Sequence, residues 1–262
     1  MTWTTRPRSE HAGLAAVRAG TGRPVLLLHG VGLRAEAWGA QLDALASHYQ
    51  LTAPDMPGHG LSPLDAGLET LSDYADSMGH VLQNLNSPAV IVGHSMGAMI
   101  AVELATRFPQ LVEGLVALNA VFERSSEASS AVCSRASALD GETPADPSPT
   151  LERWFGTDQT PQREACHTWL SEVSPMGYKL AYTAFAQSQK PSRSDLSGIR
   201  CPAVFMTGQL EPNSTPAMAE TMAEICPSGR AQIVAGAAHM MPMTHPGDVN
   251  AALFQFLKEV WQ

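Results

Sequence analysis

The sequence has little cysteine, no long apolar run and no excess of positive charge, and each shortage excludes a class of protein. No run approaches the roughly 18 apolar residues of a membrane span, and the first 20 residues lack the apolar segment of a signal peptide. The net charge of −9 argues against nucleic acid as a partner. Free thiols in a reducing compartment are expected for the four widely spaced cysteines, which form no CxxC or metal-ligand pattern: Cys133, Cys166, Cys201 and Cys226. We therefore expect a cytoplasmic protein that binds neither membranes nor nucleic acid.

Short apolar runs alternate with stretches of helical periodicity along most of the 262 residues. The runs at 25–28, 90–92, 115–118 and 203–206 are continuously apolar, which is typical of strands buried on both faces of a parallel sheet. Helical stretches lie between them, and residues 70–73 (Thr-Leu-Ser-Asp) fit a capping box at the start of one helix. The sequence therefore predicts an α/β fold with a mostly parallel central sheet and helices on both faces.

The alternation stops between residues 123 and 198, where no strand-like run occurs. We interpret this segment as a helical cap inserted into a core formed by residues 1–122 and 199–262. The cap contains a proline-dense linker at 143–149 and the aromatic residues Trp154, Phe155, Trp169, Tyr178, Tyr182 and Phe185. These aromatic side chains favour a partly apolar pocket for a small-molecule substrate, although aromatic residues in helices also serve as core.

A Gly-His-Ser-Met-Gly motif at 93–97 lies between a predicted strand and a predicted helix. In that context Gly-x-Ser-x-Gly forms a tight turn that lifts the serine hydroxyl clear of the sheet. The two glycines leave room for the turn, and the N–H groups of the following helix favour developing negative charge. We predict that Ser95 is a nucleophile, rather than part of a chance pentapeptide in a loop.

A serine nucleophile needs a base, and His239 is the best candidate among nine histidines. It follows the last predicted strand, at 232–234, so its loop should reach the same sheet edge as Ser95. The other histidines lack that position. His29, His59 and His94 belong to tight loops, where packing or hydrogen bonding is expected instead.

Several segments together resemble the α/β-hydrolase superfamily, and the resemblance extends from residue 23 to the end of the chain. In the order of that family they are His29-Gly30, Asp55-x-x-Gly58-x-Gly60-x-Ser62, the motif at 93–97, Gly208 to Glu211, and Ala238-His239. The resemblance implies an oxyanion hole formed by the backbone N–H groups of Val31 and Met96. It implies no metal or cofactor, and no cluster of side chains has metal-ligand spacing.

The acid that orients His239 is less clearly marked. Many relatives have Gly-x-x-Asp after the strand before the last helix pair, whereas residues 208–211 read Gly-Gln-Leu-Glu here. We predict that Glu211 is the acid, with Glu123 as a rival after the preceding strand. Asp55 is a weaker rival, because its loop assigns it a structural role.

The resemblance implies a serine hydrolase that cleaves a carboxylic ester or lactone of a small molecule through an acyl-enzyme. A serine nucleophile excludes relatives that use aspartate, the haloalkane dehalogenases and epoxide hydrolases. Carbon–carbon bond hydrolases remain an alternative, although they usually carry tryptophan after the histidine, where Met240 stands here. Cofactor-free haloperoxidases or perhydrolases, and a non-catalytic receptor that retains the triad, are further alternatives.

Two arginines near the predicted site are candidates for binding a substrate carboxylate. Arg34 lies four residues after Gly30, and Arg124 lies at the start of the predicted cap. For both of them, a solvated surface charge is the competing interpretation. The sequence indicates no particular oligomeric state.

Overall fold

The structure, a computed structural model, describes residues 3–262 and is built around one eight-stranded sheet. The strands are β1 (Ser9–His11), β2 (Leu14–Ala19), β3 (Pro24–Leu28), β4 (Gln50–Pro54), β5 (Ala89–His94), β6 (Val112–Leu118), β7 (Ala203–Gly208) and β8 (Gly229–Val234). Their order across the sheet is β1-β2-β4-β3-β5-β6-β7-β8. Strand β2 pairs antiparallel with both β1 and β4, and the remaining pairs, from β4 to β8, are parallel. The predicted α/β fold is confirmed.

The helices cover both faces of the sheet, because successive side chains of the buried strands point to opposite sides. The α-helices are α1 (Gly39–Leu45), α2 (Leu71–Gln83), α3 (Met96–Arg107), α4 (Ser126–Ser137), α5 (Ser148–Phe155), α6 (Pro161–Glu172), α7 (Pro175–Gln187), α8 (Arg193–Gly198), α9 (Pro216–Ile225), α10 (Met241–Thr244) and α11 (Pro246–Trp261). A short 3₁₀ helix, Ala35–Trp38, precedes α1. Leu26 and Ile91 pack with α2, α3 and α9, whereas Val25 and Val90 pack with α1 and α11.

Between β6 and β7 the chain is helical, as the sequence predicted, and contains α4 to α8. Helices α4 and α7 pack together, and α5 packs against α6. Helix α8 instead packs against α3 and α9, which cover the sheet. The division of the chain at residues 122 and 198 stays a prediction, and α8, which falls inside the predicted cap, packs mainly against helices of the predicted core.

Among the helices of residues 3–262, none combines the length and the apolar character needed to cross a membrane.

The turn between β5 and α3 depends on two glycines that lie against neighbouring backbone. A Cβ on Gly97 would lie 2.2 Å from the carbonyl oxygen of Leu28 at the end of β3, and a Cβ on Gly93 would lie 2.1 Å from the carbonyl oxygen of Gly97. Both distances are severe clashes. Helix α3 can therefore begin directly at Met96 and lie close to the sheet.

Replacing Gly97 by alanine should displace α3 from the end of β3. We expect the free energy of unfolding to fall by about 1–3 kcal/mol, as for other overpacked sites, in urea denaturation. Gly247→Ala is the matched control, since the added methyl group meets no heavy atom within 4 Å. It should leave stability unchanged or slightly higher. Equal stabilities of the two variants would contradict this account of the turn.

Candidate active site

Ser95 occupies a strained position at the carboxyl end of β5. Its φ of 56° and ψ of −120° lie in a region that residues other than glycine rarely adopt. The Ser95 N–H donates to the carbonyl of Leu118 at 2.9 Å, and its own carbonyl accepts from Ala98 and Met99. These bonds hold the turn so that the serine lines a cavity of about 330 Å³.

Glu211 and His239 lie next to each other at the carboxyl ends of β7 and β8. The imidazole Nδ1 and the carboxylate Oε2 are 2.9 Å apart, and the side chain of Glu211 is completely buried. Its other oxygen accepts from the N–H groups of Asn213 and Ser214 at 2.8 and 3.3 Å. Burial alone would raise the pKa of Glu211, but the adjacent imidazole and these bonds lower it to about 2. The carboxylate is therefore ionised over the whole working range of pH.

The two rival acids have other partners. Glu123 pairs with Arg193 at 2.7 and 2.9 Å on an exposed surface. Asp55 is buried and accepts from Arg8 Nε at 2.9 Å and from the Ala35 N–H at 2.8 Å. Of the three carboxylates, the one that contacts His239 is Glu211.

His239 and Ser95 line the same cavity, but their side chains are not hydrogen bonded to each other in this structure. Catalytic hydrogen bonds of this kind are often long in a free enzyme and shorten in the complex with substrate. The structure thus brings together the three residues expected from the sequence to be nucleophile, base and acid. The acid is hydrogen bonded to the base, and the serine is not.

The predicted oxyanion donors, Val31 and Met96, flank Ser95. Val31 belongs to the loop after β3, and Met96 is the first residue of α3. A Cβ on Gly30 would lie 3.1 Å from the Ser95 Cβ, so the Val31 loop approaches the serine closely. Neither N–H donates a hydrogen bond to another atom of residues 3–262. The oxyanion role of these two groups stays a prediction.

Two buried histidines accept hydrogen bonds in and beside the loop that carries Val31, which agrees with the packing or hydrogen bonding expected from the sequence. The Gly32 N–H donates to Nε2 of His59 at 3.0 Å, and the Met56 N–H donates to Nε2 of His29 at 2.9 Å. Burial and the neighbouring imidazole of His29 lower the pKa of His59 to about 3, so it stays a neutral acceptor.

The cavity above Ser95 is lined by three arginines and no carboxylate. Arg124 and Arg135 are half-buried, whereas Arg153 is more exposed. Arg135 Nε donates to the Tyr182 hydroxyl at 3.0 Å, and Arg153 Nη2 donates to the Thr150 hydroxyl at 2.8 Å. Within residues 3–262, none of the three guanidinium groups lies within 4.0 Å of a carboxylate oxygen.

Arg124 is the most isolated of these charges. Its Nη1 donates to the carbonyls of Phe185 and Ala186 at 3.2 and 3.4 Å, and its Cζ lies 4.3 Å above the Phe185 ring. Its Nη2 is buried and has no hydrogen-bond partner among the described residues. Burial lowers the pKa of Arg124, as expected for a cation without a nearby carboxylate. Arg34, the other candidate from the sequence, pairs with Glu36 and Glu172 outside the cavity lining.

The aromatic residues of the predicted cap divide between the cavity and the core. Four of them line the cavity: Trp154, Tyr178, Tyr182 and Phe185. Phe155 and Trp169 pack in a hydrophobic cluster around Leu151 instead. Sequence reasoning missed Arg135 and Arg153 altogether, because nothing in their neighbourhoods along the chain marks them as facing Ser95.

Comparison with protein families supplies the classification. A model of the alpha/beta hydrolase family matches residues 25–252, which is most of the chain. The chain belongs to the alpha/beta hydrolase family. The superfamily expected from the sequence is therefore confirmed.

Known relatives cover nearly the whole of this alpha/beta hydrolase. The (E)-2-((N-methylformamido)methylene)succinate hydrolase of Acinetobacter baylyi is 38% identical over 91% of this chain and 92% of its own length. A thermophilic esterase from Thermogutta terrifontis, solved with malate bound, has a TM-score of 0.85 and 27% identity over 94% of this chain and 93% of its own. An enol-lactonase from Burkholderia xenovorans shares the fold, with a TM-score of 0.83, 21% identity and 96% and 100% coverage of the two chains. These relatives support a hydrolase, as predicted, without fixing the bond that is cleaved.

Glu211→Gln should leave the shape of the site intact but remove the charge that compensates the imidazolium and fixes its tautomer. We expect the rate of Ser95 labelling by a fluorophosphonate probe, and of ester turnover, to fall by about 10²–10⁴-fold, by analogy with the serine triad template. The control, Glu123→Gln, should change either rate by less than about twofold, since Glu123 contacts Arg193 instead. A fully active Glu211→Gln variant would refute the assignment of the acid.

Proposed function

We propose that this protein is a serine hydrolase for a small dianionic substrate, a succinate whose methylene substituent carries an acylated nitrogen. The observation that carries the proposal is that three arginines line the cavity, Arg124, Arg135 and Arg153, and that each donates hydrogen bonds to neutral groups rather than to a carboxylate. The name of the Acinetobacter baylyi relative supports the same substrate class.

The charge of the cavity argues for an anionic substrate. The whole chain is acidic, with a net charge of −9, yet three guanidinium groups converge where no acidic side chain lines the wall. Arg124 and Arg135 are half-buried, and a partly buried charge without a counter-ion is costly. The two carboxylates of a substrate would supply the missing counter-ions. Arginine suits this role, because its planar fork binds a carboxylate through two parallel hydrogen bonds.

The apolar part of the cavity fits the rest of such a substrate. Leu33, Val121, Tyr178 and Met218 line the same cavity as the arginines and Ser95. A substrate that is held by its carboxylates at the arginines would therefore present an acyl carbonyl toward the serine. Such positioning favours attack by the serine, because it converts a bimolecular step into an effectively unimolecular one.

The proposed reaction is acyl transfer from nitrogen to the serine and then to water. His239 takes the proton of the Ser95 hydroxyl as Oγ attacks the acyl carbon, and the oxyanion is held by the Val31 and Met96 N–H groups. The carbon–nitrogen bond then breaks, and the imidazolium returns the proton to the leaving nitrogen. Water attacks the acyl-Ser95 carbonyl with His239 again as base, which releases the acid and restores the serine. Glu211 keeps the imidazole in the required tautomer throughout.

Hydrolysis of an ester or lactone is the second candidate function, and it needs the same residues. The Thermogutta terrifontis esterase supports it, since malate, a dicarboxylate, is bound in that protein. In ester or lactone hydrolysis the leaving atom is an oxygen, and the arginines would again bind the carboxylates of the substrate. The two candidates differ in the bond cleaved, and product analysis separates both from cleavage of a carbon–carbon bond.

Three probe substrates test the proposal: an N-formyl aminomethylenesuccinate, its dimethyl ester, and a nitrophenyl ester of a neutral acid. We expect turnover of the dianionic compound to exceed that of its uncharged dimethyl ester by about 10²-fold or more in kcat/KM. Ser95→Ala should abolish turnover of all three. Equal rates on the dianion and the dimethyl ester would contradict an anion-binding cavity.

Arg135→Met and Arg153→Met should each raise KM for the dianionic probe by about 10–100-fold, because a hydrogen bond to a charged group contributes about 1.5–3 kcal/mol. The change in kcat should be smaller, since the carboxylates lie away from the reacting carbonyl. Arg163→Met is the matched control, because Arg163 lies on α6 outside the cavity lining. An equal rise in KM for the control would mean that the cavity arginines do not bind the substrate.

A further inference from the structure

The imidazole of His239 is enclosed by two rings, one from the sheet and one from the helical segment above it. The His94 ring, at the end of β5, lies with its centroid 5.0 Å away and tilted by 54°. The Trp154 ring, from α5, lies 5.4 Å away and only 19° from parallel, in a stacked arrangement. The second contact comes from a residue that the triad does not require.

The His94 side holds the backbone of the base. Its Nε2–H donates to the main-chain carbonyl of His239 at 2.8 Å. Burial, reinforced by the neighbouring imidazole of His239, lowers the pKa of His94 to about 3, so this ring is a neutral donor. The His94 ring therefore holds the backbone of His239 in place without adding a charge to the site.

The Trp154 side is anchored to the same loop. Leu151, one turn before Trp154 on α5, is completely buried in a cluster that includes Met240, the residue directly after His239. Trp154 itself is half-buried and lines the cavity. The packing of α5 therefore fixes the distance between the indole and the imidazole.

We propose that Trp154 is a positioning residue for His239, whose indole face stabilises the imidazolium that forms when Ser95 gives up its proton. The proposal rests on the serine–histidine roles proposed above. The face of an aromatic ring attracts a cation, and tryptophan does so most strongly. A stack within 20° of parallel presents that face to the whole imidazole, whereas an edge contact would not.

Other charges near His239 make this contribution useful. Glu211, on Nδ1, favours the imidazolium, and the neutral His94 ring contributes no charge. The three cavity arginines oppose a further positive charge, because they line the same space. The indole face offsets part of that repulsion without placing a second carboxylate among groups that must bind an anionic substrate.

The test is the pH dependence of Ser95 labelling by a fluorophosphonate probe, which requires no knowledge of the substrate. In Trp154→Leu we expect the acidic limb of the rate profile to move to lower pH by about 0.5–1 unit, because an imidazolium without the aromatic face loses its proton more readily. The plateau rate should fall by about 3–10-fold. Trp154→Phe, which retains an aromatic face, should keep at least half of the wild-type plateau and most of the limb position.

Phe155→Leu is the matched control on the same helix, since Phe155 packs in the hydrophobic cluster around Leu151 and does not line the cavity. This variant should leave the acidic limb of the rate profile at its wild-type pH. Circular dichroism establishes folding of each variant, and Trp154→Met replaces the leucine variant if the latter does not fold. Equal losses in the leucine and phenylalanine variants with an unmoved limb would overturn the proposal and leave Trp154 a packing residue. Absence of labelling at Ser95 in the unsubstituted protein would overturn the triad itself, and this proposal with it.

Discussion

The contact between the Glu211 carboxylate and the His239 imidazole joins two loops that are 28 residues apart in the chain. Because the carboxylate is completely buried and also binds two backbone N–H groups, its charge is fixed in place and cannot be screened by water. The imidazole therefore has one strongly favoured orientation. The stacking of the Trp154 ring on the imidazole depends on that orientation.

Charge is separated between the two layers of the site. The sheet edge supplies a negative group, Glu211, beside the imidazole. The segment above it supplies Arg124 from the loop before α4, Arg135 from α4 and Arg153 from α5, none with a carboxylate partner within residues 3–262. A dianionic substrate would complete this arrangement by bringing carboxylates to the upper layer and a neutral carbonyl to the lower one. In such a site, electrostatic attraction favours binding of the substrate and preorganised N–H groups favour its transition state, so the two tasks fall to different residues.

Local patterns made the sheet, the serine turn and the capping box at Thr70 and Asp73 predictable, since each depends on residues within a few positions of one another. The positions of Glu211 and His239 after two predicted strands were also sufficient to predict that their side chains meet. Sequence patterns did not predict that Arg135 and Arg153 line the cavity or that Trp154 stacks on His239, because these contacts depend on how α4, α5 and α7 fold back over the sheet. The packing of α8 against α3 and α9 likewise depends on tertiary contacts that no periodicity records.

The proposed function requires that a dicarboxylate held by the arginines presents its carbonyl to Ser95. A crystal structure of the protein with a succinate that carries a trifluoromethyl ketone would test this, because such a ketone forms a tetrahedral adduct with a serine nucleophile. We expect a bond to the Ser95 Oγ, the adduct oxygen within about 3 Å of the Val31 and Met96 amide nitrogens, and carboxylates on Arg135 and Arg153. An adduct whose carboxylates point away from these arginines into solvent, or one formed at another residue, would contradict it.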